Sequence, residues 1–225
     1  MGPVSARRRT ALGLLIVTWL SATGALGTCS FFRPTQPEAP HGNPIFADYS
    51  SPSQALKTLA LGIEDKSRTN GQEVYVRAYA ESALAQNNCG DCRAYHGFFD
   101  PRDLVIYTNW DRTSDWNRDL EGSFYALLVQ HYVNPIEMSW QAYEPAGNES
   151  GSDVDSLLHR KYRVAQVAGS ARVLIAAGAA DLYFIKSPAV TNRWVIARWQ
   201  DYHTADIDSA QATLGSLRLS FHTSQ

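Results

Sequence analysis

The spacing of apolar residues changes once along this chain, and that change limits the folds open to it. Between residues 51 and 66, apolar side chains recur every three or four positions, which predicts an amphipathic helix. From residue 136 to residue 143 they alternate with polar side chains, which predicts a strand with one buried face. Helices therefore come first and consecutive strands come last. This order favours an α+β fold with helices packed on one face of an antiparallel sheet, and not alternating strand–helix units.

Three helices are predicted in the first part of the folded region. The first opens at Ser51, which begins a capping box and is followed by a proline suited to the first helical turn. The second begins after Asn70. The third runs from near Ser114 or Asp115 until Pro135 ends it.

Four strands are predicted after the third helix. They cover residues 136–143, 157–167, 172–185 and 193–202. Gly169 and Asn192 are expected in the turns, and Gly178 inside the longest strand is expected to form a β-bulge that bends the sheet. A short strand ending in a turn is predicted at residues 97–101. The tail, residues 212–221, is expected to form a short helical turn and then an irregular end.

The first 28 residues have the pattern of an export signal. Three consecutive arginines precede an apolar run at residues 11–22, which is too short for a helix to span a hydrocarbon core of about 30 Å. Leu26-Gly27-Thr28-Cys29 resembles a bacterial lipobox, in which Cys29 becomes the lipidated N-terminus. The alternative is cleavage after Gly27, which releases a soluble protein. In both cases we expect export to the cell envelope, and with a lipid on Cys29 the chain is anchored at the membrane, in the periplasm or at the outer membrane.

The region after the signal divides into a tether and one domain. Residues 29–50 contain four prolines and no apolar periodicity, which predicts an extended tether behind the lipidated cysteine. Residues 51–225 are assigned to one domain, because a chain of 225 residues with 44% apolar composition can bury a single core. The net charge of −2 indicates no basic surface for a nucleic-acid partner.

Two cysteines, Cys89 and Cys92, have the C-x-x-C spacing. In an exported protein this spacing favours a structural disulfide between them, because thiols outside the cytoplasm tend to be oxidised. A redox-active pair is a second interpretation, although no long helix begins at Cys92 to lower the pKa of a thiol. A zinc site that recruits His96 is a third, and its fourth ligand is not identified.

Four segments, taken in order, resemble a known superfamily. They are residues 51–77, the turn Phe99-Asp100-Pro101-x-Asp103-Leu104, residues 121–128 and residues 193–201. They resemble the NTF2-like superfamily, and more closely the exported NTF2-like (SnoaL-like) lipoproteins of bacteria. The resemblance implies an NTF2-like cone, in which three N-terminal helices pack on a curved antiparallel sheet and enclose a cavity. It implies no single function, since NTF2-like domains include isomerases, cyclases, dehydratases and non-catalytic binding modules.

Aromatic residues are the candidates for lining such a cavity. The six are Tyr75, Tyr79, Trp140, Tyr183, Trp194 and Trp199. Their simplest role is in the core, but apolar walls with a few polar tips also make a small-molecule pocket. Trp194 and Trp199 are five positions apart in one strand, so they are expected on opposite faces of the sheet.

The titratable residues form no convincing catalytic cluster. Four aspartates follow the C-x-x-C segment: Asp100, Asp103, Asp111 and Asp115. A turn-forming role explains Asp100 and a capping role explains Asp115. His159, Lys161 and Arg163 alternate along one strand and share a face, which indicates a solvated surface or, as the alternative, a basic patch for an acidic ligand. No catalytic residue, metal or cofactor is predicted.

The favoured function is a non-catalytic, lipid-anchored module of the envelope. It would bind a small apolar molecule or another envelope protein, and it could form a homodimer through the exposed face of its sheet. The alternative is an enzyme of the SnoaL or ketosteroid-isomerase kind that acts on a small apolar substrate through one buried acid or base. A cone filled by side chains would count against that enzyme. A purely structural role is a third hypothesis, which predicts a large exposed apolar patch.

Overall fold

The computed structural model describes most of the predicted domain. The described residues are 46–66, 70–81, 94–111, 115–143, 150–187, 190–205 and 212–223. The predicted signal, most of the tether, Cys29, Cys89 and Cys92 lie outside them. Among the described helices, none is long and apolar enough to cross a bilayer.

The described helices form where capping residues precede apolar periodicity. They are α1 (Pro52–Glu64), α2 (Gly71–Arg77), α3 (Pro101–Ile106), α4 (Arg118–His131) and α5 (Leu214–Thr223). The Ser51 hydroxyl caps α1 by accepting the Gln54 N–H at 3.2 Å, as the sequence predicts. His131 ends α4, where a cation suits the helix dipole.

Three helical predictions need correction. The aspartate at position 100 does not only make a turn: its carboxylate accepts the Arg102 N–H at 2.8 Å and caps α3, which the sequence analysis missed. Helix α4 begins at Arg118, because Asn117 rather than Asp115 supplies the cap. The tail, residues 212–223, holds the ten-residue helix α5 instead of an irregular end.

The sheet confirms the predicted order of strands. Its strands are β1 (His96–Phe98), β2 (Ile136–Ala142), β3 (Ser150–Gly151), β4 (Asp155–Ala168), β5 (Ala171–Lys186) and β6 (Trp194–Tyr202). They lie in the order β1-β6-β5-β4-β2, with β3 paired to β4. Strand β1 runs parallel to β6, so the sheet is mixed and not purely antiparallel as predicted. Every other pairing among these six strands is antiparallel. Gly169 and Asn192 adopt positive φ in turns.

Two bulges bend the long strands, and neither is at Gly178. Val164 of β4 pairs with Ala176 of β5, but the next residue, Ala165, pairs with Leu174. Ile175 is therefore the extra residue on β5. In β6 the extra residue is Ala197. Gly178 is needed for another reason: a Cβ there would lie 2.6 Å from the Tyr162 hydroxyl.

The bulge in β6 also overturns the prediction that Trp194 and Trp199 face opposite sides. Trp199 pairs with Leu182 and Trp194 pairs with Lys186. Directly paired residues project to the same face, and Leu182 and Lys186 are four apart on an unbulged stretch. Both tryptophans therefore point to the face that carries the core.

The helices pack on that core face and leave the other face of the sheet uncovered by described helices. Helix α1 contacts α2, β2 and β6, while α5 contacts α4 and strands β5 and β6. The core between them is contiguous and contains many aromatic side chains. The fold is α+β, with helices held against a curved, open sheet.

We expect Gly178→Ala to destabilise the protein by about 1–3 kcal/mol, because the added methyl group meets both the Tyr162 hydroxyl and the Tyr202 carbonyl oxygen. Urea unfolding followed by circular dichroism measures the change. Gly122→Ala is the matched control, because a Cβ at this position would lie 3.5 Å from Val76, an ordinary contact distance. Alanine inside helix α4 should increase the free energy of unfolding by about 0.5–1 kcal/mol. Equal effects from the two variants would contradict this role for Gly178.

Candidate functional site

The space between helices and sheet is occupied by aromatic side chains. Tyr75, Tyr79 and Trp199 are at most 1% exposed. The ring centroid of Tyr79 lies 5.3 Å from that of Tyr75, 4.5 Å from that of Tyr95 and 6.5 Å from that of Trp199. Three of the six candidate pocket residues are thus in contact, as packed core.

A buried glutamate lies at the centre of these rings. Glu121 of α4 is 0% exposed. Its Oε1 accepts the Tyr95 hydroxyl at 2.6 Å and the Trp116 Nε1–H at 3.0 Å, and its Oε2 accepts the Tyr75 hydroxyl at 2.7 Å. The guanidinium of Arg218 on α5 approaches Oε1 to 2.9 Å. A buried carboxylate with this many donors is held in place by the surrounding core.

Arg218 is as deeply buried as its partner, at 1% exposed. Its guanidinium carbon lies 4.4 Å from the ring centroid of Trp199 and 5.6 Å from that of Phe124. Burial would lower the pKa of Arg218, but the charge of Glu121 and the surrounding tyrosines holds it well above its usual value. Among the described residues, Nε and Nη2 of Arg218 have no hydrogen-bond partner, so the contact of Nε with Glu121 is an ion pair only. Burial, reinforced by the charge of Glu121, raises the pKa of Tyr79 well above 10.

A second buried carboxylate fixes the start of α5. Asp201 of β6 accepts the Tyr162 hydroxyl on Oδ1 at 2.6 Å and the Gly215 N–H on Oδ2. The same tyrosine oxygen accepts the Leu214 N–H at 2.8 Å. Burial raises the pKa of Asp201 to about 6, against the lowering effects of Arg218 and of these hydrogen bonds.

Asp103, one of the four aspartates singled out in the sequence, has a similar structural role. It is 0% exposed and accepts hydrogen bonds from Thr213 at 2.8 Å and from Ser216 at 2.5 Å. The Nε2 atom of His203 lies 2.8 Å from the same carboxylate. These contacts join α3 to α5 and to the end of β6.

A cleft of about 510 Å³ lies outside this packed interior, between α1 and β2. Its apolar lining is Leu56, Ala60, Leu61, Met138 and Trp140, and its polar lining is Ser53, Lys57, Glu64 and Arg160. We call this the Trp140 cleft. Its volume suits a small organic molecule.

Trp140 connects the cleft to the core. On its inner side, the ring centroid lies 5.9 Å from that of Tyr162 and 5.7 Å from that of Trp199. Its Nε1 is buried and has no hydrogen-bond partner among the described residues. Of the six candidate aromatics, Trp140 is the one that lines the Trp140 cleft.

The polar side chains of the cleft carry both signs of charge. Lys57 and Arg160 supply two cations, and Glu64 supplies one carboxylate. Burial raises the pKa of Glu64, opposed by the Met138 N–H at 3.4 Å and reinforced by the charge of Glu137. The cleft can therefore hold an apolar body with a polar or anionic end.

The remaining candidates lie elsewhere. Tyr183 is on the opposite face of β5 from Leu182, and its hydroxyl donates to Asp155 Oδ2 at 3.1 Å. Trp194 packs under Lys186, whose Nζ lies 5.6 Å from its ring centroid. His159 is buried rather than solvated, with Nδ1 2.5 Å from Asp181.

No described group of three or more histidine, cysteine, aspartate or glutamate side chains could hold a metal ion. The zinc and disulfide interpretations of Cys89 and Cys92 fall outside the described residues. His96, the third residue of the zinc interpretation, is described, and its Nδ1 lies 3.6 Å from Asp115.

Sequence reasoning missed the buried charges. Glu121, Phe124, Tyr125 and Leu128 are buried at the i, i+3, i+4 and i+7 spacing of one helix face. A glutamate at the first position of an otherwise apolar helix face is the sequence signal that could have identified the buried carboxylate. Arg218 has a weaker signal, because only a short helical turn and then an irregular end were predicted for the tail, whereas Arg218 lies in the ten-residue helix α5.

No protein-family model matches the chain, and no curated protein matches its sequence. Among solved structures, one of a Mycobacterium tuberculosis protein of unknown function is 9% identical with a TM-score of 0.44, covering 75% of this chain and 89% of that one. A domain of unknown function with a cystatin-like fold from Nostoc punctiforme is 9% identical with a TM-score of 0.45, covering 73% and 82%. An NTF2-like protein with a cystatin-like fold from Novosphingobium aromaticivorans is 9% identical with a TM-score of 0.43, covering 70% and 85%.

These similarities carry no functional argument at such low identities and TM-scores. The chain's own architecture has helices packed on one face of a curved, open sheet, as the order of the predicted elements indicates. The predicted α+β fold is confirmed, and Tyr75, Tyr79 and Trp199 are packed together in the described part of its interior.

We expect Glu121→Gln to destabilise the protein by about 3–5 kcal/mol, because it leaves the charge of Arg218 buried without its partner. Chemical denaturation at pH 7 measures the loss. Glu137→Gln removes a carboxylate from the exposed pair with Arg172 and should cause no measurable change. A mild effect of Glu121→Gln would contradict the central role of the buried pair.

The raised pKa of Asp201 predicts a pH-dependent stability. Between about pH 4 and pH 6 the folded state binds a proton that the unfolded state releases, so the wild type loses stability as pH rises through this window. Relative to Asp201→Asn, which does not titrate, the loss should amount to at most about 3 kcal/mol. Urea unfolding of both proteins at pH 4, 5, 6 and 7 gives the difference at each pH. The free energy of unfolding of the wild type minus that of Asp201→Asn should increase as pH falls. A value that stays constant, or that decreases as pH falls, would overturn the assignment of the raised pKa to Asp201.

Proposed function

We propose that this chain is a non-catalytic, exported and lipid-anchored binding module that holds a small apolar molecule in the Trp140 cleft. The observation that carries the proposal is the contrast between a filled interior and an open cleft at its edge. Tyr75, Tyr79 and Trp199 occupy the position where a cone-shaped fold could hold a substrate, whereas the cleft offers about 510 Å³ with apolar walls.

The walls define the chemical class of the ligand. Trp140 presents an aromatic surface, and Leu56 and Met138 extend the apolar lining. Lys57 and Arg160 favour a polar or anionic group at one end. We infer a small apolar molecule with one acidic or polar end.

The anchoring part of the proposal rests on the sequence. The basic start, the short apolar run and the lipobox-like Leu26-Gly27-Thr28-Cys29 support export and attachment at Cys29. A tethered binding module would act at the membrane surface of the envelope. A partner protein of the envelope, or a second copy of the chain at the uncovered sheet face, would be compatible with the same tether.

The alternative of an isomerase-like enzyme has one observation in its favour. Glu64, whose pKa burial raises, is the one carboxyl group among the described lining residues of the cleft. Asp201 has a clearly raised pKa but does not line the cleft, and both of its oxygens accept hydrogen bonds from Tyr162 and Gly215. A single carboxyl group at a cleft supports binding more directly than catalysis, which also needs groups that stabilise developing charge.

Leu61→Trp tests the cleft directly, because Leu61 lines it but is 43% exposed, so a larger side chain can narrow the cleft without disturbing the core. Residues 42–225 form one compact unit that includes all of the described residues. We expect this unit to bind 1-anilinonaphthalene-8-sulfonate, an aromatic probe with one anionic end, at one site. Leu61→Trp should weaken this binding by on the order of tenfold. Fluorescence titration measures it.

The matched control is Val105→Trp, which adds the same side chain at an exposed apolar position on α3 outside the cleft lining. It should bind the probe as the wild type does. Equal affinities in both variants, or uptake of the probe without saturation, would show that the Trp140 cleft is not the binding site.

A further inference from the structure

A second cavity, of about 660 Å³, lies where the segment before α1 meets the end of α2 and the turn before β6. Its lining residues are Ala47, Asp48, Tyr49, Ser50, Arg77, Glu81, Arg118, Val190, Asn192 and Arg193. It shares no lining residue with the Trp140 cleft. Three arginines from three different parts of the chain converge on it, and we call it the arginine pocket.

Two of these arginines are held in place by contacts with the backbone and with an aromatic ring. The Nε–H of Arg118 donates to the Val76 carbonyl at 3.1 Å. The Nη2–H of Arg193 donates to the Arg77 carbonyl, and its guanidinium carbon lies 5.5 Å from the ring centroid of Tyr49. Their side chains are only 24% and 13% exposed. Ordering them in the free protein lowers the entropic cost of binding a ligand.

The acidic groups near the pocket do not use these donors fully. Both Arg118 and Arg193 approach Glu81 Oε1 to 3.7 Å, which is an ion-pair distance but too long for a hydrogen bond. Asp48 accepts the Ser50 N–H at 2.8 Å. Arg193 Nε is buried and has no hydrogen-bond partner among the described residues.

Arg77 lines the pocket and pairs with Glu73, which does not line it, and each of the two side chains is about half exposed. The lining residues alone carry three positive and two negative charges, an excess of one positive charge. Burial lowers the pKa of Arg193, opposed by Glu81 and Tyr49 and reinforced by Arg118 and Arg77. An added anion would relieve this repulsion between guanidinium groups.

We propose that Arg77, Arg118 and Arg193 form a binding site for a phosphate group. A guanidinium donates two parallel N–H groups to a phosphate or carboxylate, and several such forks converging from different directions suit a tetrahedral anion with several oxygens better than a planar carboxylate. The phosphate can belong to a soluble phosphate ester or to the headgroup of a phospholipid. The site does not depend on the function proposed for the Trp140 cleft.

The test uses the full chain in detergent, with two soluble probes at low ionic strength and pH 7. Inorganic phosphate represents a free phosphate group, and glycerophosphoglycerol represents the diester of a phospholipid headgroup. Isothermal titration calorimetry should give saturable binding of at least one probe at one site. Tighter binding of phosphate would assign the site to a soluble phosphate, and tighter binding of glycerophosphoglycerol to a lipid headgroup. Binding of neither probe would overturn the proposal.

Three variants decide whether this pocket is responsible. Arg118→Gln and Arg77→Gln should each weaken binding by on the order of tenfold, because each removes a charge-assisted hydrogen bond. Arg77 is half exposed, so its variant is expected to fold even if Arg118→Gln does not. The control is Arg172→Gln, which removes the same charge from an exposed pair outside the pocket. A loss in the control equal to that in Arg77→Gln would show general charge attraction and overturn the site.

Discussion

The buried pair of Glu121 and Arg218 is the interaction on which the rest of this structure depends. Moving two charges out of water costs several kcal/mol each, and other groups offset part of this cost by donating hydrogen bonds to the carboxylate. Those groups come from separate elements: Tyr75 from α2, Tyr95 from the segment before β1, and Trp116 from the segment before α4. The arginine comes from the last helix. One carboxylate therefore ties the helices of both ends of the domain to the same point.

The last helix is held at its start as well as in its middle. Two backbone N–H groups in the first turn of α5 donate to Tyr162 and Asp201, which are themselves joined by a hydrogen bond. The hydroxyl groups of Ser216 in this turn and of the preceding Thr213 donate to Asp103. The closeness of Tyr162 to Gly178 follows from the same network, because the tyrosine must reach both Asp201 and the helix. Gly178, which the sequence analysis assigned to a bulge, is thus required because Tyr162 belongs to the hydrogen-bond network at the start of α5.

Elements with strong local signals could be predicted from the sequence, and contacts between distant elements could not. The capping serine and apolar period of α1 and the alternation of β2 depend only on neighbouring residues, and both predictions are confirmed. The faces of Trp194 and Trp199 depend on one extra residue, Ala197, whose position is set by pairing with β5. The Trp140 cleft contains one of the six aromatic candidates, because the bulk of Tyr75, Tyr79 and Trp199 fills the interior instead.

The filled interior also gives the proposed binding cleft its properties. The ring of Trp140 forms part of the cleft wall, and its inner side packs on Tyr162 and Trp199, over which the charge of Arg218 lies. This wall is therefore ordered by the same aromatic core that surrounds the buried pair. The opposite wall, on α1, presents the more exposed Leu61. A ligand would meet one rigid aromatic wall and one that can adapt, so most of the ordering cost is already met by folding.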